Sequence, residues 1–192
     1  MFIKNIQKGT EGFNIDQFKR VLNYNPSVTF NLEQDMFSSE TENKYYVIRT
    51  DVDNPLSAYS RFGFELEGAE WPSVEHYYQG MKFEKGEMRE SIRSTDHPKK
   101  ASKLAKANKK LVRKDWAQVR QVMMTRAVYT KCRTHHAVAK LLLETGTKQI
   151  VETTMYDYYW GCGRDGRGHN VFGKVLMAVR DKLKQEQDKA TS

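Results

Sequence analysis

The sequence predicts a single α+β domain, predominantly helical, with a small antiparallel sheet in its N-terminal third. Three observations predict it. Apolar residues recur at three- and four-residue steps through most of the stretch from Pro72 to Leu183, the spacing of helices that each bury one side. Ahead of it lie short β-favouring runs, Lys44 to Thr50 and Phe62 to Leu66, the second followed by the turn pair Glu67-Gly68, which suits a hairpin. The 192 residues, 39% hydrophobic and with only four prolines, are enough for one core without staples.

In chain order, the first ~40 residues predict a short helix capped by Asn14 or Asp16, with Phe18, Val21 and Leu22 as its apolar side and Asn25-Pro26 as its end. Val28 to Leu32 is a strand available to pair with Lys44 to Thr50 across a polar loop of residues 38–43. Pro72 suits the first turn of a helix, where its missing N–H would have no partner anyway. That helix runs toward Phe83, and a shorter one covers Glu87 to Ser94. Pro98 opens a lysine-rich helix to Lys110 with a thin apolar stripe, Leu104, Ala107 and Leu111. Trp116, Val119, Met123 and Ala127 mark the next, ending near His135-His136; Ala137 to Leu143 follows and stops at Gly146. Ile150 to Glu152 is a short strand or extended link, and the last helix runs from about Asn170 to Lys184. The resulting division is an extension packed on the domain (1–44), the domain itself (45–185) and a polar tail (186–192).

Charge and cysteine content narrow the function classes. The formal charge is +8, and between Lys99 and Arg133 twelve Lys or Arg face one acid, Asp115. Such a region is either a solvated helix face or a surface for phosphates or nucleic acid. Cys132 and Cys162 form no disulfide framework and no metal set, and His135-His136 lack metal-ligand spacing, so no metal or cofactor is expected and a reducing cytoplasm is the expected location. No apolar run approaches the ~18 residues of a membrane span, and no signal core opens the chain.

Two stretches carry the chemistry. In Trp71-Pro72-Ser73-Val74-Glu75-His76-Tyr77-Tyr78-Gln79-Gly80-Met81-Lys82-Phe83, helical spacing puts Glu75, Gln79 and Lys82 along one stripe, either a solvated face or the lining of a pocket. The second runs Asp157-Tyr158-Tyr159-Trp160-Gly161-Cys162-Gly163, then Asn170-Val171-Phe172-Gly173 and Leu176-Met177. Its Gly161, Gly163 and Gly166 spell a dinucleotide fingerprint, but only 26 residues follow, too few for the βαβ unit that motif needs. Gly168 to Lys174 imitates a P-loop, yet Val175 stands where Ser or Thr should be. What remains is a glycine turn before a helix, either a tight structural turn or a set of backbone amides open to a phosphate.

In order and register the two stretches resemble the NADAR superfamily, the YbiA-like proteins, over about residues 45–183. The family often has Leu-Ser-Asn-Phe before its first helix; here the residues are Leu56-Ser57-Ala58-Tyr59, so Ala58 leaves substrate identity open. The resemblance implies an N-glycosidase acting on a phosphorylated ribosyl substrate, either a ribosylamino-pyrimidine intermediate of riboflavin synthesis or an ADP-ribosylated guanine. It implies Glu75 and Asp157 as active-site acids. Breaking an N-glycosidic bond builds positive charge on C1′ and the ring oxygen, which a carboxylate beside C1′ stabilises; Glu75 is assigned that task, and Asp157 either holds ribose hydroxyls or assists protonation of the leaving group. Trp71, Tyr78, Gln79, Lys82, Trp116, Trp160, Gly161, Gly163 and Asn170 complete the expected substrate site, with Trp160 the foremost stacking residue and Lys82, Arg113 and Arg126 as cations for a phosphate. His169 is a further phosphate contact to consider; His76 and Cys162 are read as structural. The region between Lys99 and Arg133 leans toward ADP-ribose attached to nucleic acid. The competing class is a module that binds NAD, ADP-ribose or nucleic acid without turning it over.

Overall fold

A computed structural model describes residues 43–191. The expected helix around Phe18, the strand at Val28 to Leu32 and almost all of the 1–44 extension lie outside the described residues. Strand β1, Lys44–Val47, pairs in parallel with β4, Gln149–Glu152, in the register Tyr45↔Ile150 and Val47↔Glu152. That is the main departure from expectation. The partner of β1 comes from about a hundred residues downstream, where Ile150 and Glu152 alternate into the interior beside Val47, and short strands acquire such partners from tertiary burial rather than from local pattern.

The expected hairpin is present. Strands β2, Phe64–Leu66, and β3, Ala69–Trp71, pair antiparallel around Glu67 and Gly68, whose φ values of 58° and 73° make the two-residue turn that twists with its strands. Phe64 and Trp71, directly opposite, are both buried.

Helix α1, Val74–Gly80, starts two residues later than Pro72 suggested: the Ser73 hydroxyl accepts from the His76 amide and caps it. It stops at Gly80, where a Cβ would stand 2.7 Å from the Trp71 ring. All seven of its residues are buried, so the polar stripe is no solvated face. Helices α2, Glu87–Arg93, and α3, Pro98–Ala107, pack against α1, followed by a 3₁₀ turn at Lys109–Leu111. Phe83, Ile92, Ala101 and Ala105 make a small cluster there. Helix α4, Trp116–Thr134, lies along α1 and buries Met124, Ala127, Val128, Lys131 and Cys132, one step round from the expected stripe. Helix α5, His136–Glu144, and α6, Val171–Thr191, complete the core, with α6 packed on α4 and β4. The expected tail is the end of α6, where Glu186 accepts from the Tyr129 hydroxyl at 2.8 Å and pairs with Arg133 at 3.1 Å. None of the described helices is long and apolar enough to cross a membrane.

Candidate active site

Glu75 occupies the second position of α1. Its amide donates to the Ala58 carbonyl at 2.9 Å, so the loop before the hairpin closes over the helix start, and its side chain is 1% exposed. Both carboxylate oxygens are engaged. Gln79, one turn on, donates from Nε2 to Oε1 at 2.7 Å, and Arg49 donates from Nη1 to Oε2 at 2.9 Å. The second nitrogen of that guanidinium, Nη2, lies 3.5 Å from Asp157 Oδ2. The two acids named from the sequence therefore meet, and an arginine that no motif singled out bridges them.

Arg49 is fixed from both sides. Its amide donates to Glu152 Oε1 at 3.0 Å, and its carbonyl accepts from the Ala58 amide at 3.1 Å. Burial works to lower its pKa, but Glu75 and Asp157 outweigh burial and hold it above the ordinary arginine value. Ala58 is fully buried, and its backbone ties Arg49 to Glu75.

Asp157 is held by its own turn. Oδ1 accepts from the amides of Tyr159 at 3.1 Å and Trp160 at 2.8 Å, an Asx turn that aims Oδ2 at Arg49. At 26% side-chain exposure, Asp157 is the open member of the pair.

An aromatic wall stands beside the acids. Tyr78 packs on Trp116 with ring centroids 5.0 Å apart and edge-on to Trp160 at 5.4 Å, and Trp160 is edge-on to Tyr159 at 4.9 Å. Burial, then the nearby Glu75, pushes the Tyr78 hydroxyl up to about 12. Lys82 places its ammonium 5.2 Å from the Tyr78 ring and 5.9 Å from Trp116. Burial lowers the Lys82 pKa, Glu75 pulls it back up, and Arg49 lowers it.

Several expected site residues make structural contacts. Trp71 is in the core, edge-on to Tyr77 at 5.2 Å, with its indole N–H on the Leu66 carbonyl at 3.1 Å. Trp160 is 5% exposed between Tyr78 and Tyr159, which leaves the half-buried Trp116 as the better stacking face. Gly161 is needed because a Cβ would fall 2.0 Å from Glu152 Oε2, and Gly163, at φ 67°, lies against the Tyr158 ring. Asn170 stitches β4 to α6, accepting from the Glu152 amide at 2.9 Å and donating to the Ile150 carbonyl at 2.8 Å.

The amides expected to be open to a phosphate are used internally. Gly161 donates to Asp157, Cys162 to Glu152, Gly168 to Cys162, Val171 to Tyr159 and Phe172 to Trp160. His169 is exposed, and its amide donates to the Tyr158 carbonyl. Arg113 is paired with Asp115 at 2.6 Å and Arg126 with Glu67 at 2.5 Å. His76 is held by Ser73 Oγ at 2.8 Å and the Thr95 carbonyl at 3.0 Å, with its pKa lowered by burial, as a structural histidine would be. Burial raises the pKa of Cys162, which suits a structural thiol better than a nucleophile. The basic region is also less free than its count suggested. Lys131 is buried, Arg133 meets Glu186, and Lys100 meets Asp96.

Sequence reasoning missed Arg49, Glu152 and Arg120, whose guanidinium carbon lies 3.4 Å from the centre of the Tyr159 ring. Arg49 sits in a β-favouring run with no motif around it. Only the α4 periodicity, which sets Arg120 one turn after Trp116, pointed toward the third.

Comparison with known proteins shows the family. The model of the NADAR domain matches residues 33–184. N-glycosidase YbiA of Escherichia coli (strain K12) is 35% identical over 132 residues, covering 69% of this chain and 82% of that protein. N-glycosidase Npun_R5314 of Nostoc punctiforme is 34% identical over 132 residues, 67% of this chain and 85% of that protein. Riboflavin biosynthesis protein VVA0006 of Vibrio vulnificus is 31% identical over 159 residues, 82% of this chain but 43% of that longer protein. The NMR structure of E. coli YbiA superimposes with a TM-score of 0.69 at 32% identity, covering 76% of this chain and 87% of that one.

Proposed function

This chain belongs to the NADAR family, and we propose that, as an N-glycosidase, it hydrolyses the bond between a phosphorylated ribose and the amino nitrogen of a pyrimidine. The observation that carries the reading is the Arg49 guanidinium held between Glu75 and Asp157 at 2.9 and 3.5 Å. Two carboxylates that stabilise a resident cation there offer the same stabilisation to a ribosyl cation drawn up beside them.

In this reading Glu75 faces C1′, supports the charge that develops as the C1′–N bond breaks, and orients the water that adds to C1′. The bonding pair goes to the base nitrogen, which ends with the proton that water gives up. Asp157, the more open acid, holds the ribose hydroxyls through Oδ2. Arg49 keeps the two acids at a fixed spacing, and Trp116 gives the base a face.

The pyrimidine class is supported by relatives named as riboflavin biosynthesis proteins, among them VVA0006 and the chloroplastic PYRR of Zea mays. The pairing of Arg113, Arg126 and Arg133 with acids and the burial of Lys131 weaken the case for nucleic-acid-attached ADP-ribose. The test is incubation with a ribosylamino-uracil phosphate and, separately, with ADP-ribosylated guanosine. The expected result is release of ribose phosphate from the first by the wild type and not by Glu75→Ala. Release from the second alone would reassign the substrate. Tight binding of either with no release would make the protein a binding module.

A further inference from the structure

The wall of the site carries a second cation that the reaction described above leaves unused. Trp116 and Arg120 stand one turn apart on α4 and so project from the same face. Named contacts run from Arg120 over Tyr159, to Trp160, to Tyr78, to Lys82, and from Lys82 back to Trp116. Arg120 and Lys82 thus flank one continuous group of four rings. The Arg120 charge also lowers the Tyr78 pKa, which burial and Glu75 raise and Arg49 lowers.

What these two cations lack is an acceptor. Among the described residues neither has a hydrogen-bond or ion-pair partner, and Arg120 Nε is buried with none. Arg113 and Arg126, on the same helical region, are both paired. An arginine stacked on a ring spends its face and keeps its in-plane N–H groups for a planar two-oxygen partner. A buried donor left unpaired is costly unless a ligand serves it.

We propose that Arg120, with Lys82 on the same group of rings, is the subsite for the phosphate ester on the ribosyl substrate, Arg120 gripping two phosphate oxygens and Lys82 acting as a point charge. The proposal rests on the phosphoribosyl reading, and its test does not depend on turnover.

Ribose 5-phosphate, ribose and ADP-ribose are titrated calorimetrically into the wild type, Arg120→Gln and Lys82→Met. The expected result is a loss of roughly tenfold or more in affinity for ribose 5-phosphate in Arg120→Gln, with its advantage over ribose collapsing toward one. A loss confined to ADP-ribose supports the subsite and identifies a diphosphate as its occupant. Should Arg120→Gln fail to fold by circular dichroism, Arg120→Lys carries the test: it keeps the charge, loses the fork, and is expected to bind about three- to tenfold more weakly. Wild-type affinity retained within about twofold in the folded variant overturns the proposal, as does a wild type that binds neither phosphate. Arg120-dependent binding of ribose 5-phosphate together with no release from the ribosylamino-uracil phosphate would instead leave the subsite standing and remove the glycosidase reading.

Discussion

Arg49, half-buried, and Lys131, buried, are two cations tied to the same buried segment, residues 55–60, and they are treated in opposite ways. Arg49 meets two carboxylates, Glu75 and Asp157. Lys131 meets none: its ammonium donates to the Pro55 and Ser57 carbonyls at 2.7 Å each and to Ser60 Oγ at 3.2 Å. Three N–H groups find three neutral oxygens, and residues 55–60 are all buried around them. Burial pushes Lys131 down to about 8, while the acids hold Arg49 above its ordinary value. The difference separates site from scaffold. Counter-charges form a field that a substrate cation can enter, whereas neutral oxygens wrapped on an ammonium fix a loop and leave nothing for a ligand to exchange with.

The strongest way to break this comparison is to discharge the acid and keep its shape. Glu75→Gln preserves the size of the side chain on α1 and removes only the charge facing Arg49. Release of ribose phosphate should fall by roughly 10²–10³-fold in kcat, in a protein that is less stable but still folded. A folded Glu75→Gln protein working within about threefold of wild type would mean that the Arg49 bridge is scaffold too.

Next comes the scaffold cation. Lys131→Met keeps most of the stem volume on α4 but strips the donors from three buried oxygens. We expect a loss of about 2–4 kcal/mol in urea unfolding, larger than the change in kcat of the fraction that stays folded. Unchanged stability would show that the Ser57 and Ser60 hydroxyls hold the segment unaided, since they already bond to Tyr59, Pro55 and their neighbours.

These two cations also mark what the sequence could and could not disclose. The hairpin at Glu67-Gly68 was legible because it depends on residues within a few positions, two of them at positive φ, whereas Glu75 and Asp157 were singled out by the family resemblance of the stretches that hold them. Most of the helices were legible for the same reason as the hairpin. Arg49 and Lys131 were not, because their roles are set by partners 26 to 108 positions away. The β1–β4 pairing was hidden likewise. The glycine loop misled in a different way: Gly161 and Gly163 permit close packing on Glu152 and Tyr158, and sequence cannot tell a glycine that admits a ligand from one that admits a neighbouring side chain.

A double-mutant cycle sharpens the contrast. Arg49→Met alone leaves Glu75 buried without its counter-charge, and Glu75→Gln alone leaves Arg49 short of one acid. The two changes together should therefore cost less than the sum of the singles, with a coupling of about 1.5–3 kcal/mol in urea unfolding. The same cycle between Lys131→Met and Glu75→Gln should give a coupling within about 0.5 kcal/mol of zero. Equal couplings in the two cycles would erase the distinction.

The smallest effect, and the most direct, comes from pH. Lys131 titrates near 8 in the folded protein against 10.5 in the unfolded chain, while Arg49 stays charged throughout. Below about pH 8 both states hold the Lys131 proton, so this group adds no slope. Between the two values the unfolded chain keeps a proton that the folded protein has released, so stability rises with pH by up to about 1.4 kcal/mol per unit from this lysine. Other tyrosines and lysines titrate in the same range, and subtracting Lys131→Met removes them. The stability gap between wild type and Lys131→Met should therefore widen from about pH 7 to about pH 9.5. A gap that stays constant would mean that three hydrogen bonds hold the ammonium charged against its burial, and Lys131 would then resemble Arg49 in everything but its partners.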